Sequence, residues 1–210
     1  IVTVLPRTNT LIEDPALEIA IRYPKRYTTG EITKNFLSEV DSIYTIEAGY
    51  NNLEGIEYCY NLKYLIMTYI KIQDISPLST LTNLEYIDMR GNNFIDDLTP
   101  LANLKNLKYL ILYECTSLED IKPLSNLTML KHLDLYGCTS LKDIKPLSNL
   151  TNLEYLDIDC TDNLTGYSAL SNLVNLETLK IYKMNVSENG DISFVSNMTK
   201  LKNLMIRYSG

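Results

Sequence analysis

The sequence predicts an α/β solenoid, a stack of short parallel strands joined by tight turns, with a small helical segment at its start. Three observations carry this prediction. The apolar triplet Leu62, Leu65, Met67 recurs as Leu84, Ile87, Met89, then Leu107, Leu110, Leu112, Leu130, Leu133, Leu135, Leu153, Leu156, Ile158, Leu176, Leu179, Ile181 and Leu201, Leu204, Ile206. The spacings between first leucines are 22, 23, 23, 23, 23 and 25 residues, the period of one supersecondary unit that cannot bury its own apolar face and must stack on copies of itself. Between the triplets runs a segment of the form Asp-Ile-x-Pro-Leu-x-x-Leu, at residues 74–81, 120–127 and 143–150, with a close variant at 98–104. Its proline fixes φ at the start of a turn, and so short a period leaves room there only for a 3-10 turn.

Residues 1–44 do not carry the repeat, and we expect them to form an N-terminal helical cap. Asp14 followed by Pro15 is a helix start, and Leu17, Ala20 and Ile21 then give one apolar face. Thr33 precedes a second short helix carrying Phe36, Leu37 and Val40, and residues 23–30 read as the loop between them. Residues 45–210 form about seven to eight coils. The first, degenerate coil runs from Ile43 and Ile46 through Leu53, Ile56 and Cys59. Apolar residues at relative positions 0, 3 and 5 with this period are the leucine-rich repeat signature, with a parallel concave sheet and convex 3-10 turns. The strands should centre on Leu65, Ile87, Leu110, Leu133, Leu156, Leu179 and Leu204, and the last two coils, which lack the proline, should be less regular. No initiator Met precedes Ile1, so a processed or trimmed product is expected; no capping segment follows Ile206, so the last coil is expected to be covered by further chain or a partner.

Hydrophobic content of 45% with 21% charge is that of an ordinary globular protein. A net charge of −7 argues against nucleic-acid binding, which needs clustered Lys and Arg. No run approaches the roughly 18 apolar residues of a membrane helix. Catalysis finds little support: His132 is the sole His, and Cys138 lies on the order of 20 Å further along an extended coil at about 3.3 Å per residue. We therefore expect no enzyme, cofactor or metal site. Five Asn-x-Ser/Thr sequons (Asn126, Asn149, Asn163, Asn185, Asn197) mostly follow from the repeat itself.

The cysteines belong to the repeat. Cys115 and Cys138 stand eight residues after the first leucine of their units, the place of Asn92 and Thr161 in the flanking ones, where a small polar side chain can satisfy backbone groups as the chain leaves the strand. At either end the slot becomes Ile70 and Met184. Cys59 reads as core, and Cys160, one residue before the slot, as solvent-facing. All are expected to be structural thiols.

Strand residues alternate sides, so positions 2, 4, 6 and 7 should face outward on the concave sheet. Position 2 carries Tyr64, Tyr86, Tyr109, His132 and Tyr155; position 6 carries Tyr113, Tyr136, Asp159 and Tyr182; position 4 carries Ile66, Asp88, Ile111, Asp134, Asp157, Lys180 and Met205. More than half of the 16 Tyr lie in the outward columns. Tyrosine is a good strand residue, but it also presents large, stiff surface with a polar tip, and the outward Ile66, Ile111 and Met205 favour the recognition reading. Asp134 and Asp157 should repel across adjacent strands unless a cation intervenes; calcium is conceivable, and a solvated acidic patch for a basic partner is the simpler reading. The candidate partner-binding residues are Tyr64, Tyr86, Tyr109, Tyr113, His132, Asp134, Tyr136, Tyr155, Asp157, Asp159 and Tyr182.

The units at 147–157 (Leu-Ser-Asn-Leu-Thr-Asn-Leu-Glu-Tyr-Leu-Asp) and 53–57 (Leu-Glu-Gly-Ile-Glu), behind a helical cap with an Ile-Thr-Lys element at 32–34, resemble the internalins and internalin-like proteins of Gram-positive bacteria. The resemblance implies a secreted or surface-displayed monomer that binds a host or neighbouring protein through its concave face. The immunoglobulin-like domain and wall-anchor motif common downstream in that family do not occur in these residues. Two alternatives stay open: an intracellular scaffold or enzyme regulator, and carbohydrate binding along the Tyr rows.

Overall fold

In the computed structural model, residues 11–25, 30–46, 52–160, 164–184 and 191–208 are described. Helix α1 (Pro15–Arg22) starts where the Asp14 carboxylate accepts from the Ala16 N–H at 2.8 Å, with Pro15 in the first turn, and it buries Leu17, Ala20 and Ile21. Helix α2 (Lys34–Ser38) is capped by the Thr33 hydroxyl, which accepts from the Phe36 N–H at 3.1 Å. Of the loop expected at 23–30, residues 23–25 make a 3-10 turn and 26–29 lie outside the described residues.

Eight parallel strands follow in chain order in one sheet: β1 (Ser42–Ile46), β2 (Tyr64–Thr68), β3 (Tyr86–Asp88), β4 (Tyr109–Ile111), β5 (His132–Asp134), β6 (Tyr155–Asp157), β7 (Thr178–Met184) and β8 (Asn203–Tyr208). Leu65, Ile87, Leu110, Leu133, Leu156, Leu179 and Leu204 stand in one straight row, as the repeat demands. One shift, between Ile181 and Met184, accompanies the longest period. A single coil buries Leu107, Leu110, Leu112, Leu118, Ile121, Leu124 and Leu127 completely, each worth about 1.5–3 kcal/mol over exposure. Leu204 is 45% exposed because β8, the outermost strand, has a neighbour on one side only.

The convex turns are 3-10 helices; five are started by the aspartate before them, and those at Ile56–Tyr58 and Tyr167–Asn172 follow the left-handed Gly55 and Gly166. Asp74, Asp97, Asp120, Asp143 and Asp191 each accept, at 2.7–3.0 Å, from the backbone N–H two residues on. The segments without proline, Tyr167–Asn172 and Ser193–Asn197, still make such turns. Neighbouring coils are tied by asparagine amides, with Asn83, Asn106, Asn152 and Asn175 donating at 2.8–2.9 Å to carbonyls of the preceding coil.

The chain leaves several strands through a left-handed residue: Tyr69 (φ 55), Gly91 (72), Glu114 (57) and Gly137 (72). Non-glycine and glycine alternate for a packing reason, since the Tyr69 ring lies where a Gly91 Cβ would stand and Glu114 lies against Gly137. After these turns come the buried ladder donors. The Asn92 amide donates to the Met67 and Met89 carbonyls at 2.7 and 2.8 Å, and the thiols of Cys115 and Cys138 donate to Met89 and Leu112 at 3.5 and 3.2 Å.

Cys160 overturns its expected exposure. It is buried, and its thiol donates to the Leu135 carbonyl at 3.1 Å, so it holds the ladder slot assigned to Thr161, which lies outside the described residues. The reason is a turn one residue shorter. Cys160 stands at the count occupied by the left-handed residue in earlier coils and enters the core directly.

Candidate functional site

The outward face of the sheet brings the predicted aromatics together as two rows. Parallel pairing puts Tyr64, Tyr86, Tyr109, His132 and Tyr155 side by side on β2 to β6. Their ring centroids stand 6.5, 5.8, 5.9 and 4.1 Å apart in turn, the last pair stacked within 5° of parallel. In the second row, Tyr113 and Tyr136 stack at 4.8 Å and 9°, and Tyr182 stands two strands further on. Tyr64 and Tyr109 are exposed and the other row members half-buried, so the rings cover the sheet while keeping faces or edges in solvent.

Between the rows, position 4 is less open than its alternation predicts. Ile66 is half-buried between Tyr64 and Thr68, and Ile111, flanked by Tyr109 and Tyr113, is buried; Met205, on the outermost strand, is exposed. Asp88 and Asp157 are also buried, and each is met by a cation from the chain itself. Asp88 takes a forked contact from Arg90, with Nε 3.0 Å from both carboxylate oxygens. Asp157 lies 3.3 Å from Lys180 Nζ, and that ammonium also donates at 2.9 Å to the Tyr155 hydroxyl and sits 5.1 Å over its ring. The Tyr155 hydroxyl in turn donates to Asp157 at 3.3 Å. The cation that meets Asp157 is thus Lys180 of β7, on the side of Asp157 away from Asp134.

Asp134 is the carboxylate of the site left outside these pairs. It stands directly across from Asp157 and accepts from the Tyr136 N–H at 3.0 Å. Burial, and then the Asp157 charge, push its carboxyl above the ordinary range. His132 shifts the other way: burial and then Lys180 hold its imidazole below 6.5, so it stacks as a neutral ring. Lys180 is held charged by its hydrogen bond to Tyr155 and by Asp157, and burial and then Asp157 raise the Tyr155 phenol. Burial lifts the thiols of Cys59 and Cys115 to about 12, and those of Cys138 and Cys160 likewise upward, which leaves them poor nucleophiles. Among the described residues no cluster of three or more His, Cys, Asp or Glu side chains is placed to hold a metal ion.

Tyr113, Tyr136, Tyr155 and Tyr182 surround an open depression of about 270 Å³, floored by Asp134, Asp157 and Lys180. This is smaller than the ~300–1,000 Å³ of typical small-molecule clefts, and it is one hollow in a broad surface. The candidate residues therefore share one face, and Lys180 and Arg90 join them. Both stand in the outward columns of the sequence. The signal that finds them is opposite charge at adjacent outward places, in one column on neighbouring strands for Asp157 and Lys180 and two residues apart for Asp88 and Arg90, which a search for aromatic rows passes over.

The model of the leucine-rich repeat region matches residues 42–210. The chain belongs to the leucine-rich repeat family. Within it the chain is internalin-like. It is similar to internalin C2 of Listeria monocytogenes at 28% identity, with a TM-score of 0.82 over 93% of this chain and 87% of that one. It is also similar to the internalin InlF of the same species at 31% identity, with a TM-score of 0.83 over 93% of this chain and 56% of that one. No curated protein matches. A leucine-rich repeat fold suggests a protein-binding module, and among the described residues no helix is long and apolar enough to cross a membrane.

Proposed function

We propose that this leucine-rich repeat protein is a non-enzymatic module, secreted or displayed on a bacterial surface, that binds a host or neighbouring protein through its concave face. The observation that carries the reading is the continuous aromatic row Tyr64, Tyr86, Tyr109, His132, Tyr155 beside the Tyr113–Tyr136 stack. Large, stiff rings on a rigid sheet lose little entropy on binding and supply the contacts that dominate interface energies. The acidic residues beside them give a basic partner orientation and a faster encounter more than affinity. Residues 1–44 act as the cap closing the first coil, where α1 lays its apolar face over the β1 end. The similarity to internalins supports export to the surface.

The test starts with capture from host-cell extract and identification of the retained protein. Its affinity is then measured for Tyr113→Ala and Tyr136→Ala beside the convex control Lys145→Ala. Each Tyr variant should lose about 1–3 kcal/mol while the control binds as wild type. If the control weakens binding and the Tyr variants do not, the concave face is not the interface. Fractionation of the producing cells checks the location, and retention in the cytosol would refute surface display.

A further inference from the structure

The second aromatic row has a missing rung. Tyr113 on the β4 coil and Tyr136 on the β5 coil stack at 4.8 Å, and Tyr182 continues the row from β7. On the intervening β6 coil the register places Asp159, whose carbonyl accepts from the Gly137 N–H at 2.6 Å and so keeps the strand spacing. The Tyr136 and Tyr182 side chains thus flank a slot two strand spacings wide, roughly 9.6 Å at about 4.8 Å each. A flat group halfway across stands about 4.8 Å from either ring, inside the ~6 Å reach of a cation–π contact.

The slot's charge selects what enters. Asp134, Asp157 and Lys180 line the floor, so among this described lining two carboxylates face one ammonium, and the register puts Asp159 at the missing rung. Among the described residues Asp134 forms no ion pair. Burial and Asp157 hold its carboxyl above the ordinary range, a condition that a nearby cation relieves. This sheet already seats cations on tyrosines, with Lys180 over Tyr155 at 5.1 Å and Arg207 over Tyr182 at 5.0 Å. Arg207 comes from β8, so the face of Tyr182 toward β6 is the one that lines the slot.

We propose that the slot between Tyr136 and Tyr182 takes an arginine side chain of the protein partner, its guanidinium sandwiched between the rings and paired with Asp134. This rests on the concave face being the binding face. Arginine fits where lysine does not, because a planar, weakly hydrated guanidinium stacks on two rings and still donates in its plane to carboxylates.

The probe is the peptide acetyl-Gly-Arg-Gly-amide, titrated into the intact chain and followed by NMR, with its citrulline and lysine counterparts alongside. The arginine peptide should give saturable shifts at Tyr136, Asp159 and Tyr182 and bind at least fivefold tighter than either counterpart. Asp134→Asn should weaken it several-fold. Asp159→Tyr, which restores the missing rung, should abolish it with the fold intact by circular dichroism. Equal binding of the citrulline or lysine peptide, no saturable shift, or undiminished binding to Asp159→Tyr overturns the proposal. A captured partner whose affinity falls with Tyr109→Ala but is indifferent to Asp159→Tyr removes the slot and keeps the binding face. A partner indifferent to both removes the binding face itself.

Discussion

Replacing Gly91 and Gly137 by alanine separates two costs that a left-handed glycine can hide. Both have φ 72, so either substitution carries the same backbone penalty, about 1–2 kcal/mol. Their surroundings differ. At Gly137 the new Cβ would stand 3.0 Å from Glu114 Cγ, part of a chain that can swing aside. At Gly91 it would stand 2.2 Å from Cδ1 and 2.5 Å from Cε1 of Tyr69, so the whole ring must lift. Tyr69 is 47% exposed, and a fully covered tyrosine buries on the order of 200 Å², which leaves roughly 100 Å² of contact at stake. Losing half to most of that at about 25 cal/mol per Å² adds roughly 1–2 kcal/mol. Gly137→Ala should therefore cost about 1–2 kcal/mol and Gly91→Ala about 2–4, or melting-point losses near 4 °C and 9 °C at about 3 °C per kcal/mol. Urea titration and calorimetry measure both. In a Tyr69→Ala background the Gly91→Ala cost should fall to that of Gly137→Ala. Equal costs at the two glycines, or no relief in that background, would refute the packing account of the alternation.

Lys180→Met removes the counter-charge of buried Asp157 and should destabilise by about 2 kcal/mol. That is less than the ~3–5 of a fully buried pair, since the Tyr155 hydroxyl and Asp159 N–H still donate to it; a loss below about 0.5 kcal/mol in urea titration contradicts the pairing. All four cysteines should resist maleimide in the native protein and react on unfolding, and native labelling of Cys160 would break the ladder assignment. Asp134 holds a proton more tightly folded than unfolded, so its contribution to stability is full below 3.8 and is lost as pH rises through its raised folded value. Asp134→Asn should accordingly stabilise the protein by about 0.5 kcal/mol at pH 7, with the gain vanishing toward pH 3.8 in melts across that range.

The strand centres were legible because each unit buries the same row, and any slip would turn leucines outward. The turn chemistry was less so. Asp74 and its counterparts read as parts of a motif, and their role of holding the next turn's N–H emerges only from geometry. Counting from the leucine misplaces Cys160 because it assumes a constant exit from the strand, and here the residue at the left-handed count enters the core instead. In the candidate site, alternation gave the face correctly and the exposure poorly. Ile111 and Asp157 point outward by count yet lie beneath rings or neighbours, since burial on a sheet depends on the side chains alongside as much as on the direction of Cβ. The Lys180–Asp157 pair spans two strands 23 residues apart, and only the register makes them neighbours.

Residues 120–128 and 143–151 are identical, Asp-Ile-Lys-Pro-Leu-Ser-Asn-Leu-Thr, and sit at equivalent places in consecutive coils. Recombination between their coding segments would excise or duplicate one whole 23-residue period with no junction out of phase. The asparagine ties, thiol ladder and aspartate-started turns each reach only the adjacent coil, so the altered chain would rejoin on matching surfaces. The binding strip would lengthen or shorten by one rung of about 4.8 Å, carrying an extra or a missing aromatic with it. The lineage of such a protein could thus retune its reach in whole rungs, faster than by substituting residues one at a time.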